Sequence, residues 1–315
     1  MDAMSREPVV SVVLSVFNDA SRVRRAAMSI LEQTFEELEL IAIDDGSTDG
    51  SGDLLEELAR SDSRVRVIRQ RNTGLTRALA RGCGEARGVY VARQDAGDWS
   101  HPGRIAEQVQ MMRSAENVVL TACGTSFCGP GGELLFQVAR SGRALRQGLD
   151  RLVPGELVGP PHHGACMFAR EAYARAGGYR PEFVFAQDID LWLRLAELGD
   201  CVGSEGMRYN ASVDFGGISQ RSNDRQHELA ALAIGCAVAR RRGEPEDDML
   251  ASARSVQSPP ASTLSITVER ARYHYFVARN LCKRDPPGAR RYFLKSLADD
   301  PFHLGAIVGF VRSFL

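Results

Sequence analysis

"VVSVVLSVFNDASRVRRAAMSILEQ", residues Val9 to Gln33, decides the fold. Its first eight residues are a near-continuous, β-branched apolar run, the pattern of a strand buried on both faces. A run of helical spacing follows, with Ser21 as the expected N-cap. A doubly buried strand feeding a helix is the opening half of a parallel crossover unit.

The pattern then repeats. "LELIAI" (Leu38 to Ile43) ends at the turn "DDGSTDGS" and leads into the helix "GDLLEELAR". "RVRVIRQ" precedes the helical stretch "TGLTRALARGCGEA", and "GVYVARQ" precedes "HPGRIAEQVQMM". Strict alternation with short connections predicts a parallel sheet covered on both faces. After Val118 the rhythm changes. "VVLTACGTSF" and "ELLFQVA" flank the turn "CGPGG" and read as a hairpin, so the sheet becomes mixed. From about Asn223 amphipathic helices replace strands, interrupted by "SVQSPPAST" (Ser255 to Thr263). The expected division is an α/β domain over residues 1–220 and a helical region over 221–315.

The chain has 315 residues and a net charge of −1, so no global field recruits nucleic acid or an acidic surface. Seven cysteines without a CxxC pair, and no apolar leader, favour reduced thiols and a cytoplasmic protein. No run reaches the ~18 apolar residues of a membrane span, which leaves a protein peripheral at the membrane at most. The closing "PFHLGAIVGFVRSFL" has one apolar helical face, for which packing on the domain is the first expectation and a membrane interface the second.

Ligands of open α/β sheets bind beyond the carboxyl ends of the strands. Three strands here end in polar clusters: "FND" (Phe17, Asn18, Asp19), "DDGS" (Asp44, Asp45) and "QDAGD" (Asp95, Asp98). Acids and Asn also collect in loops as caps and turn formers, but three such ends on one sheet edge outweigh that reading. No GxxxxGK[ST] loop is present, and "GCGEARG" precedes a strand instead of following one, which disfavours a dinucleotide oxidoreductase. An acidic phosphate site without such a loop calls for a divalent cation between carboxylate and phosphate.

The ordered set "VSVVLSVFND", "LIAIDDGSTDGS", "RNTG", "ARQDAGDWSHPGRIAEQ", "HHGACMFAREAYARAGGYRPEF" and "AQDIDLWLRL" resembles the family 2 glycosyltransferases of GT-A fold, over roughly residues 8–220. The resemblance implies a Rossmann-like mixed sheet with parallel central strands, and an inverting transfer from a nucleotide-diphosphate sugar. It implies a UDP-linked donor, a glycan or lipid-linked acceptor, and a place in bacterial cell-surface polysaccharide synthesis. It assigns Phe17, Asn18, Asp44, Asp45, Asn72, Gly74, Arg77 and Asp95 to the nucleotide and donor, with Phe17 facing the base and Asp45 accepting a hydrogen bond from it. His163, Gln187 and Trp192 fall on the acceptor side, and Asp188 is the expected catalytic base. The alternative reading is that Asp188 or Asp190 caps the helix "IDLWLRLAEL".

Two positions depart from the family pattern. Gly97 stands where the main metal-binding Asp is usual, leaving Asp95 and Asp98 for Mn²⁺ or Mg²⁺. Asn210 stands where a metal-assisting His is common. The competing expectation is a non-catalytic nucleotide-sugar binder whose metal chemistry has degenerated; Asp188 argues for an enzyme, since a binder has no use for a base.

Overall fold

The structure is a computed structural model and describes residues 7–215, 223–256 and 265–314. Among these residues nine strands form one mixed sheet in the order β3-β2-β1-β4-β8-β6-β9-β5, with β7 paired to β6. The strands are β1 (Val10–Val16), β2 (Leu38–Asp44), β3 (Val65–Arg69), β4 (Tyr90–Asp95), β5 (Trp99–Ser100), β6 (Val118–Cys128), β7 (Leu134–Val138), β8 (Cys166–Ala169) and β9 (Asp200–Ser212). The first four are parallel neighbours, while β8 runs antiparallel to both β4 and β6. The expected hairpin is β6–β7, and the sheet becomes mixed beyond β4.

The two-residue period of β1 and β2 builds two cores, one on each face of the sheet. Val10, Val12, Leu14, Leu40 and Ala42 pack under helices α1 (Ala20–Leu31), α2 (Ser51–Ser61) and α4 (Arg104–Met112). Val13, Ile41 and Ile43 face α3 (Leu75–Gly84) on the other side. A doubly covered sheet favours apolar residues on both faces, which is why β1 and β2 read as near-continuous apolar runs; the buried exceptions Ser11 and Glu39 bond to each other. Helix α1 begins at Ala20, one residue before the expected cap Ser21. Its first amide, on Ala20, is satisfied from a distance by Asp49 Oδ2 at 2.9 Å, so a side chain from the β2–α2 turn replaces a local cap.

Two compact units emerge, and they divide the chain differently from the expected boundary near 220. The first comprises residues 1–125, 138–211 and 224–256; the second comprises 126–137, 212–223 and 257–315. Residues 224–256 join the α/β unit because Leu229, Ala233 and Cys236 pack with Phe183, and because Glu246 pairs with Arg180 at 2.5 Å and Arg240 with Glu197 at 2.8 Å. The interruption expected at Ser255–Thr263 lies largely outside the described residues. All seven cysteines are unpaired and six are buried. No described helix is long and apolar enough to cross a membrane.

Candidate active site

At the end of β1, Phe17 is 52% exposed, which removes it from the core and leaves its ring face open. Asn18 adopts a left-handed backbone (φ 52°), a conformation its short polar side chain tolerates. Its amide donates to Ser47 Oγ at 3.0 Å and its Oδ1 accepts from the Thr48 amide at 2.8 Å. The end of β1 is thus tied to the turn after β2.

That turn is organised by its two acids. Asp44, buried, accepts from the Ser47 amide at 2.9 Å and closes an Asx-type turn. Asp45, also buried, gathers the loop that follows β3. Its Oδ1 accepts from Gln70 Nε2 (2.6 Å), the Thr73 amide (2.9 Å) and the Thr73 hydroxyl (3.1 Å), and its Oδ2 from the Gly74 amide (2.9 Å). Gly46, at φ 83°, completes the junction, since a Cβ there would meet the Asn72 amide nitrogen at 2.7 Å. Asn72, Gly74 and Arg77 lie exposed along this edge. Asp45 spends most of its carboxylate on the loop; Oδ2, bonded to the Gly74 amide, is the oxygen with capacity for a further donor.

Strand β4 ends at Asp95, and the acidic loop rests on buried polar groups that the sequence did not single out. Arg93 is fully buried, donating to the Val13 carbonyl at 2.7 Å and to Asp95 Oδ1 at 2.7 Å. Burial pushes the Asp95 carboxyl up, but nearby positive charge, that of the buried Arg93 foremost, outweighs it and holds the group below its ordinary value. Arg104, equally buried, donates to the Arg93 carbonyl (2.8 Å), Ser100 Oγ (2.9 Å) and Gln108 Oε1 (3.0 Å). Tyr209 on β9 accepts from the Asp95 amide at 3.1 Å and donates to Asp98 Oδ2 at 2.9 Å, fixing both acids on one platform. Asn210, the next residue, pairs in register with Trp99.

The histidine pair divides its labour in a way the sequence did not reveal. His163 is buried, bonded through Nε2 to the Tyr179 hydroxyl at 2.7 Å and packed edge-on against Trp192. Burial, with the nearby Arg93 charge, holds its pKa well below the ordinary value, so it is neutral. His162 instead turns its Nδ1 toward the acids, 3.8 Å from both Asp95 Oδ2 and Asp98 Oδ2, and stacks on Tyr209. The same Nδ1 accepts from the Gly164 amide at 3.1 Å, a bond it would exchange for one to a cation. Asp95, Asp98 and His162 form a group whose ligand atoms lie within 4.8 Å of one another. Two carboxylates and an imidazole suit Mn²⁺ better than Mg²⁺, whose preferred partners are all oxygen.

Helix α7 (Gln187–Ala196) follows α5 (Gly142–Asp150) and α6 (Arg170–Arg175). It is launched from Ala186 in a left-handed conformation (φ 57°), an uncommon state for a residue with a Cβ. Asp188 in its first turn accepts from the Ile189 amide at 2.9 Å. Burial raises the Asp188 carboxyl above its ordinary value, partly opposed by that amide and by His162, while the charge of Asp95 adds to the rise. Asp190 takes the structural role. It is buried against Arg194, whose guanidinium also holds the Ala176 and Gly178 carbonyls at 2.6 and 2.7 Å. Gln187 and Trp192 are buried, Trp192 under Gly159, where a Cβ would meet its ring at 2.8 Å.

Residues 11–176 match the profile of glycosyl transferase family 2, which is more than half of the chain. The chain belongs to glycosyl transferase family 2. Among curated relatives, EpsE of Bacillus subtilis is 31% identical over 205 residues, covering 62% of this chain and 69% of EpsE. Other curated relatives are matched over a smaller part of their length, 39% in one and 62% in another. The mannosyltransferase PcManGT of Pyrobaculum calidifontis, solved with GDP-Man and Mn²⁺, superposes with a TM-score of 0.56 at 20% identity, covering 98% of this chain and 79% of its own. Residues 1–349 of Staphylococcus aureus TarS, solved with UDP-GlcNAc, give 0.58 at 14% identity, covering 97% and 89%. At such identities the likeness of the family 2 chain to these two is one of fold: the mixed, mostly parallel GT-A sheet flanked by helices.

Proposed function

We propose that this family 2 chain is an inverting glycosyltransferase. It takes a sugar from a nucleotide-diphosphate donor, UDP-linked in our reading, and passes it to a glycan or lipid-linked acceptor in cell-surface polysaccharide synthesis. The observation that carries the reading is the place of Asp188 in the first turn of α7, held by the Ile189 amide, where burial and the charge of Asp95 both raise its carboxyl above the ordinary value. Solved neighbours hold GDP-Man, UDP or UDP-GlcNAc, which supports a nucleotide-sugar donor.

In this mechanism Phe17 offers its open face to the base and the Asp45-held loop follows the nucleoside. Asp95, Asp98 and His162 would hold a divalent cation, which when bound supplies positive charge to the diphosphate leaving group. Tyr209 and Arg93 fix the two acids so that they need not reorganise during the reaction. Asp188 accepts the acceptor hydroxyl proton as that oxygen attacks the anomeric carbon. A carboxylate with a raised pKa is a stronger base than a solvated one, and it remains ionised at neutral pH only while the rise stays modest. His163, Gln187 and Trp192, which the resemblance assigns to the acceptor side, are buried and in this reading shape that side from within the fold. On this reading the protein works on the cytoplasmic side of a membrane, where nucleotide sugars are made.

The test is incubation with a panel of nucleotide sugars, with and without EDTA, scoring nucleotide diphosphate release. Release from one donor, stimulated by Mn²⁺, is the expected result. No turnover of any donor with tight nucleotide binding would identify a binder instead.

A further inference from the structure

The second compact unit contains three helices that the proposed chemistry does not use: α10 (Ile266–Leu281), α11 (Pro286–Asp299) and α12 (Leu304–Arg312), following α8 (Asn223–Arg242) and α9 (Asp247–Ser255). Their mutual core consists of Tyr273, Val277, Leu281, Tyr292 and Phe293, closed by Ala306. Helix α12 approaches closely because it presents glycine: a Cβ on Gly305 would meet the Tyr275 ring at 2.7 Å, and one on Gly309 the Phe293 ring at 2.4 Å. Gly305, Ala306, Gly309 and the partly buried Phe310 therefore form the packed face. The closing segment therefore packs on the neighbouring helices of its own unit.

The opposite face is apolar too. Leu304, Ile307, Val308 and Val311 follow the i, i+3, i+4, i+7 spacing of a single stripe, exposed by 77%, 40%, 48% and 59%. Phe302 and Phe314 flank it, 87% and 61% exposed. A helix that is apolar all round normally has both faces covered. A contiguous exposed apolar stripe marks an interaction surface, unlike the scattered exposed apolar residues of ordinary surfaces.

Charge identifies the occupant. Residues 265–315 carry nine Arg and Lys against four Asp and Glu, a net +5 within a chain whose total is −1. The cations border the stripe. Arg312 is exposed beside Val311, and the Arg290 guanidinium lies 4.1 Å from the Phe314 ring centroid and donates to the Ser313 carbonyl at 2.8 Å. An apolar stripe capped by aromatic residues and rimmed by cations matches the boundary of an anionic bilayer, with acyl chains against the stripe and headgroups against the rim. A surface shared between two copies of this chain would instead bring like charges together.

We propose that α12 is an interfacial membrane-binding helix that docks the chain on anionic lipid. This goes beyond the catalytic reading and does not rest on it. The test is flotation of the full chain with vesicles of phosphatidylcholine, with and without one-third phosphatidylglycerol. The wild type is expected to float with the anionic vesicles. The Val308→Asp/Val311→Asp variant should lose binding by about tenfold or more, and Arg312→Glu should lose binding selectively for anionic lipid. All three residues are exposed, so folding should persist; hydrogen exchange on the wild type, with residues 304–312 protected only when vesicles are present, reads the contact without any variant. Equal vesicle binding by wild type and both variants overturns the proposal. So does absence of wild-type binding, including the case where Val308→Asp/Val311→Asp converts a dimer to a monomer and the face proves to be a contact between copies.

Discussion

The guanidinium of Arg22 occupies the space beside Gly97 into which a side chain at that position would grow. A Cβ on Gly97 would lie 3.1 Å from both Cζ and Nη1 of Arg22, while Arg22 Nε pairs with Asp19 at 2.8 Å. The family's usual acid is therefore absent from a place that a cation now borders. Gly97 does not have positive φ, so its backbone would accept another residue and the constraint is the neighbouring charge. Gly97→Asp should place its new carboxylate against Arg22 and leave Mn²⁺ affinity in the presence of UDP within about twofold of wild type. Adding Arg22→Gln should free that carboxylate and tighten Mn²⁺ by about tenfold. Titration of free Mn²⁺ by electron paramagnetic resonance separates the two, and tighter binding in Gly97→Asp alone would contradict this role for Arg22.

The two adjacent histidines should differ in kind. His162→Ala removes a nitrogen from the acidic group and should weaken Mn²⁺ binding by about tenfold with little change in melting temperature. His163→Ala leaves the Tyr179 hydroxyl without its buried partner and opens a cavity beside Trp192, costing ~2–4 kcal/mol of stability. Thermal melts and metal titrations on both variants should show opposite patterns. The same pattern in both would mean that the side chains are not divided in this way.

Glu39 predicts a pH dependence of stability. It is buried in the sheet, and although burial pushes its carboxyl up, bonds from Arg87, Ser11 and Arg66 prevail and hold it below the ordinary 4.5. A depressed folded-state pKa contributes stability that is present above pH 4.5 and lost as pH falls through the folded value. Glu39→Gln should cost about 1–3 kcal/mol near neutrality, and the difference from wild type should shrink below pH 4.5. Urea melts at pH 7 and pH 4 test this; a gap that stays constant would remove Glu39 from the acid response.

The parallel half of the sheet was legible because burial on both faces forces apolar residues into β1 and β2, and a run such as Val9–Val16 fits poorly anywhere except a doubly covered strand. The acidic edge was legible for the same reason in reverse, since Asp44, Asp45, Asp95 and Asp98 interrupt those runs. Residues that act through long-range packing were not. Arg93 and Arg104 look like surface charges in "VARQD" and "PGRIAEQ", and only the fold shows that they are buried beneath the loop. Tyr209 arrives from β9, more than a hundred residues along the chain from Asp98. "HH" gives no sign of which ring faces the acids; the short turn His163–Ala165, capped by His162, decides it. Residues 224–256 are joined to the α/β unit by Arg180, Arg240 and Glu246, pairs with no local signature in the sequence.

As the proposed base, Asp188 should also set a pH profile. A base works when ionised, so activity should fall as the pH drops through its pKa in the reacting complex. Because burial raises that pKa above 3.8, the acid limb of kcat should lie above the range of a solvated aspartate. Initial rates between pH 4 and 8 with saturating donor and acceptor measure it, and a flat profile down to pH 4 would show that burial does not govern the base.

In the proposed sugar transfer, everything turns on Asp188 taking the acceptor proton. Asp188→Asn keeps the shape of the side chain and an oxygen able to accept from the Ile189 amide, but removes the basic carboxylate. The direct measurement is single-turnover transfer by this variant at saturating donor and acceptor, alongside calorimetric binding of UDP. UDP affinity is expected within about twofold of wild type, and transfer lower by ~10²-fold or more. Transfer at more than half the wild-type rate, with UDP bound normally, would contradict the assignment of Asp188 as the base.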